Sequence, residues 1–105
     1  IAVNPDVIKA QMEGGIGYGI GHNMRDKITL TDGVVDQFNF PDYEPLRITD
    51  IGEIDVHIVP STEPPTGVGE PGTPPAAPAL ANAIAAASDL RIAALPMNEN
   101  GASFI

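Results

Sequence analysis

The chain has 105 residues, the size of one ordinary domain, with 5 Lys plus Arg against 14 Asp plus Glu and a formal charge of −9. That charge repels phosphate backbones and anionic lipid, so it argues against nucleic-acid and membrane-surface partners. The absence of cysteine excludes disulfides, cysteine-ligated iron–sulfur clusters and cysteine nucleophiles within these residues.

The hydropathy pattern predicts one soluble domain, or part of one, without direct insertion into a membrane. Glycine, proline and charged residues interrupt every apolar run before it reaches the roughly 18 residues that a spanning helix needs. The chain begins at Ile1 without a methionine or a basic, apolar leader. This start suggests a piece excised from a longer protein.

The first predicted element is a helix from Asn4-Pro5 to about Gly21. Asn4 can cap the free N–H groups of the first turn, and Pro5 suits the first helical position because its missing donor costs nothing there. An apolar stripe recurs every four residues, at Ile8, Met12, Ile16 and Ile20. This period is typical of a helix with one buried side.

Glycines are crowded into the second half of this helix, at Gly14, Gly15, Gly17, Gly19 and Gly21. At about 0.8–1 kcal/mol each relative to alanine, they would cost an isolated helix about 4–5 kcal/mol, which tertiary contacts must offset. Such a bare surface favours close packing against another backbone, with contact to a flat ligand as the less favoured alternative. It is not a dinucleotide-binding fingerprint, because no strand precedes it.

Two strand regions are predicted after the helix. Residues 27–31 and 34–40 are β-prone and are joined by Asp32-Gly33, a dipeptide suited to a tight hairpin turn. Farther along, Ile54, Val56 and Ile58 alternate with Glu53, Asp55 and His57. That alternation predicts a strand with one buried and one solvated face.

The last third combines a long loop with a second helix. Residues 60–75 hold six prolines and three glycines, a composition that predicts a loop or linker. The alanine-rich stretch 78–88 predicts a helix, with Pro75 or Pro78 in its first turn. Residues 91–95 form a candidate final strand, and residues 97–105 are predicted to be a fraying tail outside a domain that spans 1–96. The predicted fold class is α+β, with two helices packed on a small mixed or antiparallel sheet.

Two groups of polar residues could form a metal site or a hydrolase triad, but the sequence gives each of them little support. Glu53, Asp55 and His57 would share one strand face and could hold a metal, but a solvated strand face has the same pattern. A Ser61, His57 and Asp55 arrangement lacks the nucleophile elbow of hydrolases. We therefore predict no metal ligands among these residues. The rings of the predicted hairpin region, Phe38, Phe40 and Tyr43, are assigned to packing.

Glu70 is the strongest single candidate for chemistry. It lies between Gly69 and Pro71, on a loop that runs into the start of the second helix. Glycine permits close approach of another group and proline restricts the loop, so the carboxylate could act there as a general base. The alternative is a solvated loop glutamate favoured by the helix dipole.

Two motifs and their spacing resemble the large subunit of isoquinoline 1-oxidoreductase-like and aldehyde dehydrogenase enzymes in the xanthine dehydrogenase (molybdenum hydroxylase) family. One motif is the stretch around Val68-Gly69-Glu70-Pro71, within residues 53–84, and the other is Gln11-Met12-Glu13-Gly14-Gly15 after Asn4-Pro5. Asn39-Phe40 and Tyr43 fit the same pattern. The resemblance covers residues 3–96 and identifies the chain as a C-terminal part of such a molybdopterin-binding subunit.

The resemblance implies roles for two residues. In the family, the glutamate of the Val-Gly-Glu-Pro motif is the base that activates the hydroxo ligand of molybdenum, and this role falls on Glu70. Gln11 matches a glutamine whose amide hydrogen-bonds the pterin. The implied reaction is the oxidation of an aldehyde or N-heterocycle with water as oxygen source, on a molybdenum–molybdopterin cofactor in its cytosine dinucleotide form.

The implied partners are the remainder of the large subunit, a small [2Fe-2S] subunit and a small-molecule substrate. Because most cofactor-binding segments of the family have no counterpart in the chain, we expect it to be inactive and free of cofactor when isolated. The resemblance allows either a cytoplasmic or a periplasmic location. The alternative function is a noncatalytic interaction module that binds a partner through the Pro/Gly-rich loop 60–75.

Overall fold

The computed structural model describes residues 1–104. In chain order it contains helix α1 (Pro5–Met24), strands β1 (Leu30–Thr31) and β2 (Val34–Val35), a 3-10 turn (Phe40–Asp42), helix α2 (Ala76–Ser88) and a second 3-10 turn (Met97–Asn100). These elements confirm the predicted α+β class. Across residues 1–104, neither helix combines the length and the apolar character needed to cross a bilayer.

Helix α1 begins where its capping residues predict and extends three residues beyond Gly21. The Asn4 side chain accepts a hydrogen bond of 3.2 Å from the backbone N–H of Val7, and Pro5 occupies the first helical position. Near the other end, the Asn23 side chain donates to the carbonyl oxygen of Gly19. This side-chain bond lies at the additional residues 22–24, which the apolar period alone does not predict.

The predicted hairpin is present but short. Leu30 pairs with Val35 and Thr31 with Val34 in an antiparallel ladder. Asp32 and Gly33 both have positive φ angles, 51° and 80°, as a two-residue primed turn requires. The helices do not pack on this hairpin within residues 1–104; they pack on each other.

Helix α2 begins two residues before the predicted Pro78 and ends at the predicted Ser88. Its first residue, Ala76, is buried against α1, where a Cβ atom on Gly19 would lie only 2.7 Å from the Cβ atom of Ala76. The helix stops at Asp89, which has a φ of 59°. The bare second half of α1 therefore receives the start of α2, as its glycines predict.

Two predicted strands are wrong for the described residues. Residues 53–58 keep the predicted alternation of half-buried and exposed side chains, but they form no backbone ladder, and neither do residues 91–95. Alternation indicates that one face of an extended segment is covered. It does not supply the neighbouring strand that a ladder needs.

The structure describes residues 97–104 of the predicted tail, and Ile105 lies outside the described residues. Met97 is 1% exposed, the most buried large side chain in the described chain, and opens the 3-10 turn that contacts α1. The division at residue 96 and the fraying of the tail both stay predictions.

The structure is open for its size. Its radius of gyration is 16.4 Å, whereas a compact chain of this length has a radius of about 13 Å. Its surface is 7745 Å², against about 5,600 Å² for a folded monomer of the same mass. The buried apolar side chains of residues 1–104 are Met24, Ala76, Pro96 and Met97. The core of the described residues is therefore small, and most large apolar side chains retain exposed surface.

Candidate functional site

The loop that carries Glu70 is pressed directly onto the middle of α1. Gly72 is buried there, and a Cβ atom at this position would lie 3.0 Å from the carbonyl oxygen of Met12. The Thr73 hydroxyl donates a 3.0 Å hydrogen bond to the carbonyl oxygen of Gly15. Glycines on both partners thus permit a backbone-to-backbone contact that fixes where the loop crosses the helix.

Gln11 and Glu70, 59 positions apart in the sequence, line the same open pocket. The pocket has a volume of about 490 Å³. One wall is the α1 surface and the other is the loop; together they comprise Gln11, Gly14, Gly15, Tyr18, Gly69, Glu70, Thr73 and Pro74. Both predicted site residues therefore face one space between the loop and the helix.

The pocket leaves the side chains of Gln11 and Glu70 accessible. Gln11 and Glu70 are both exposed, and a Cβ atom on Gly69 would lie 3.3 Å from Nε2 of Gln11. The loop can approach the Gln11 amide this closely because residue 69 is glycine. The local turn is closed by the backbone N–H of Thr73, which donates to the carbonyl oxygen of Glu70 at 3.0 Å. The Glu70 carboxylate on this turn can exchange a proton with a molecule bound in the pocket.

A row of rings continues from the pocket along α1. The rings of Tyr18 and His22, one helical turn apart, meet edge to face with centroids 4.2 Å apart. Nδ1 of His22 lies 3.0 Å from the Tyr43 hydroxyl, at hydrogen-bond distance. The row links the pocket to the segment that follows the hairpin.

Tyr43 anchors the far end of this row. Burial, with the nearby Asp26 carboxylate as the second cause, raises the pKa of the Tyr43 phenol above its ordinary value of 10. The phenol is therefore neutral at physiological pH and keeps its proton for hydrogen bonding. A neighbouring hollow of about 330 Å³ is lined by Tyr43, Tyr18, Asp26 and the apolar side chains of residues 46, 48 and 51.

The alternative polar candidates do not assemble a site. His57 Nε2 lies 2.9 Å from Asp55 Oδ2, both side chains are about four-fifths exposed, and the Ser61 hydroxyl accepts from the backbone of Glu63. Within residues 1–104, no group of three or more acidic, histidine or cysteine side chains could hold a metal ion. Asp55 and His57 thus form an exposed pair.

Two of the three aromatic residues assigned to packing are not packed in this chain. Phe38 is 83% exposed and Phe40 is 92% exposed, while Tyr43 is half-buried. The assignment fails for the two phenylalanines because the hairpin does not lie on the helices, so it offers them no apolar partner.

Sequence reasoning missed Tyr18 and Thr73 as parts of the pocket. Tyr18 lies seven residues after Gln11, so the two residues share one side of the predicted helix, and this spacing could have identified it. Thr73 gave no such signal, because its partner is a helix carbonyl 58 residues away.

Comparison with known proteins identifies several relatives but no matching family model. The chain is 40% identical to a membrane-bound aldehyde dehydrogenase (pyrroloquinoline-quinone) of Gluconacetobacter polyoxogenes, over 90% of this chain and 12% of that protein. It is 35% identical to the beta subunit of isoquinoline 1-oxidoreductase of Brevundimonas diminuta, over 92% of this chain and 12% of the relative.

A third relative carries the metal in its name. The chain is 30% identical to a putative xanthine dehydrogenase molybdenum-binding subunit of Escherichia coli, over 90% of this chain and 14% of that protein. The chain thus spans about one eighth of the length of the curated relatives that it matches. Each match includes nearly the whole chain, so most of the residues between Gln11 and Glu70 lie within the matched span.

Proposed function

Because this chain belongs to the large-subunit family of the molybdenum hydroxylases, of which it represents one segment, we propose that it forms part of the active site of such an enzyme. The proposed reaction of the whole protein is oxidation of an aldehyde or N-heterocycle, with water as the oxygen source. In this proposal Glu70 is the catalytic base and Gln11 binds the cofactor.

One observation carries the proposal: Gln11 and Glu70, far apart in sequence, line one pocket. A cofactor and a proton acceptor must lie within one site for a reaction to pass between them. The two residues come from different elements, a helix and a loop, and Thr73 and Gly72 hold those elements together. The pocket is thus a consequence of the fold.

The residues fit a pterin-type group. An amide can donate and accept along the edge of such a ring, and the Gln11 amide is exposed at the pocket wall. Next to it, a Cβ atom on Gly14 would meet no atom within 4 Å, so a flat ring has room against the helix. When bound, the molybdenum cofactor supplies the two-electron oxidation.

Glu70 supplies proton transfer. Its exposed carboxylate takes the proton that must leave a water-derived oxygen during the reaction. The preceding Gly69 leaves space beside it, and the turn closed by Thr73 restricts where the carboxylate can lie. A positioned base of this kind contributes typically 10²–10⁴-fold to a rate.

The remaining walls of the site come from the rest of the large subunit in this proposal. The pocket is bounded by one helix and one loop and is open on its other sides, so the isolated chain is expected to be inactive and to hold no cofactor. The cofactor of the whole protein is proposed to be the cytosine dinucleotide form of molybdenum–molybdopterin. Electrons are proposed to leave through a small [2Fe-2S] subunit.

The relatives' names differ over the cofactor. One relative's name carries pyrroloquinoline quinone, while another is named a molybdenum-binding subunit. Cofactor analysis of this protein must therefore include both groups. The proposal requires that the active protein contains molybdenum and pterin but no quinone.

The test uses the full-length parent co-expressed with its small subunit, as wild type, Glu70→Gln and Glu63→Gln. Glu63 is an exposed glutamate of the same loop region and lines a different hollow, so it is the matched control. We expect normal molybdenum and pterin content in all three proteins. Oxidation of an aldehyde or N-heterocycle is expected to fall at least about 10²-fold in Glu70→Gln alone.

Two results would overturn the proposal. One is full activity in Glu70→Gln, which would remove the catalytic base. The other is a properly matured wild-type complex without molybdenum or pterin, which would favour the noncatalytic interaction module.

A further inference from the structure

Tyr18 is an exposed aromatic side chain at the edge of the Gln11–Glu70 pocket. It is 63% exposed and lines the pocket together with the proposed base, Glu70. A ring with this much free surface contributes little to folding. Its location gives it direct access to any molecule that occupies the pocket.

The Tyr18 ring is supported even though it is exposed. His22 meets it edge to face at 4.2 Å, and His22 is in turn within hydrogen-bond distance of the Tyr43 hydroxyl. Edge-to-face contact is a favoured arrangement for a pair of aromatic rings. The row Tyr43, His22 and Tyr18 therefore restricts the ring in a way that a lone surface tyrosine would not experience.

The space in front of Tyr18 suits a flat molecule. Gln11 and Tyr18 are seven residues apart, which corresponds to about 10 Å along a helix. Gly14 and Gly15 lie between them, and a Cβ atom on Gly14 would meet nothing within 4 Å. Tyr18 lines the pocket together with both of these glycines.

We propose that Tyr18 is a specificity-determining residue whose ring forms the end wall of the pocket and limits the size of the planar substrate ring that can approach Glu70. This inference rests on the proposed function. An aromatic wall favours a flat aromatic substrate by ring contact and excludes a ring system longer than the gap. His22 acts as a positioning residue through its contact with Tyr18.

The test compares one-ring and two-ring substrates on the full-length complex. Benzaldehyde and 2-naphthaldehyde are the probes if the wild type oxidises aldehydes; pyridine and isoquinoline are used if it oxidises N-heterocycles. The variants are Tyr18→Ala, Tyr18→Phe and His22→Leu. Phe38→Ala is the control, because Phe38 is also an exposed ring, 83% against 63% for Tyr18, and lines a separate hollow.

Tyr18→Ala is expected to raise the ratio of kcat/KM for the two-ring over the one-ring substrate by about 10-fold or more. Loss of ring contact should also raise KM for the one-ring substrate more than it lowers kcat. Tyr18→Phe should restore the wild-type ratio, and His22→Leu should shift it in the same direction as Tyr18→Ala by a smaller factor. Phe38→Ala should leave it unchanged.

An unchanged ratio in Tyr18→Ala, with normal molybdenum and pterin content, would overturn the inference. Loss of pterin from Tyr18→Ala would also overturn it, because Tyr18 would then contact the cofactor instead of the substrate. Both results differ from failure of the proposed function, which is read from the wild type and from Glu70→Gln.

Discussion

The Thr73 hydroxyl donates a 3.0 Å hydrogen bond to the carbonyl oxygen of Gly15, joining the loop of the proposed base to the middle of α1. The bond is partly buried and bridges 58 positions of sequence. It holds the loop in place immediately after Glu70, so the position of the carboxylate depends on it.

Thr73→Val should therefore weaken both stability and the site. Valine keeps the shape of threonine but cannot donate, and the loss of one hydrogen bond costs about 1 kcal/mol. Urea unfolding of the 105-residue chain measures this change, with the exposed Thr62→Val as the control. In the full-length complex, kcat should fall while cofactor content is retained. Equal unfolding midpoints for the two variants would refute the role given to the bond.

The glycines of α1 should respond oppositely to alanine, according to what each one faces. At Gly19 a Cβ atom would lie 2.7 Å from both the Ala76 Cβ and the Thr73 carbonyl oxygen, whereas at Gly14 it would meet nothing within 4 Å. Gly19→Ala should thus push α2 away and destabilise the fold by about 1–3 kcal/mol. Gly14→Ala should stabilise the helix by up to about 1 kcal/mol.

The measurement is chemical unfolding of the two variants beside wild type. Gly17→Ala is a second control, because its nearest neighbour, the Leu46 side chain, is at an ordinary 3.8 Å. Destabilisation by Gly14→Ala to the same degree as by Gly19→Ala would contradict the packing of this helix.

Stability should also decline in acid through Asp50. The backbone N–H of Arg47 and then the Arg25 guanidinium donate to this carboxylate and hold its pKa below the ordinary value of 3.8. Because the folded-state pKa is the lower one, the stabilisation is fully present above about pH 4. It is lost as the pH falls through the folded-state pKa.

Asp50→Asn should therefore flatten the acid limb of the stability profile. Unfolding midpoints measured from pH 6 down to pH 2 test this, and NMR titration of the carboxyl carbon reports the pKa directly. Asp55→Asn makes the same carboxylate-to-amide change at an exposed site and is the matched control. A profile for Asp50→Asn that matches wild type would show that the contact contributes nothing.

Short sequence signals predicted the helices and the hairpin turn, because neighbouring residues determine where these elements begin or turn. Asn4-Pro5 sets the start of α1, Asp32-Gly33 sets the hairpin turn, and the alanine-rich stretch sets α2. The glycines correctly predicted close packing on α1, because their cost demands a partner. The sequence could not specify which segment packs against these glycines, because the bond between Thr73 and Gly15 is a long-range contact.

The failed predictions share one physical cause. Residues 53–58 have a strand pattern, and Phe38 and Phe40 have core composition, but both need a partner surface that residues 1–104 do not provide. A hydropathy pattern indicates the environment that suits a segment, but it does not show that the rest of the chain provides that environment. For the candidate site, the family resemblance supplied the Gln11 and Glu70 pair, and the spacing from Gln11 could have identified Tyr18. Thr73 required the three-dimensional arrangement, because its partner lies 58 residues away.

Met97 should be among the most sensitive apolar positions of the chain, although it belongs to the predicted tail. It is 1% exposed and opens the turn that contacts α1. Truncating a buried methionine to alanine typically costs 2–5 kcal/mol, and with few other buried apolar residues the chain has little stability in reserve. Ile48→Ala, at a side chain that is 92% exposed, is the control and should change stability by less than about 0.5 kcal/mol.

Thermal unfolding followed by circular dichroism separates the two descriptions of residues 97–105. If they form part of the fold, Met97→Ala should lower the Tm by at least about 8 °C, as expected for a domain of this size. Removal of residues 97–105 should lower it at least as much, because it deletes the same side chain and its turn. If both changes leave the Tm at the wild-type value, the residues after 96 are a dispensable tail and the burial of Met97 contributes nothing to stability.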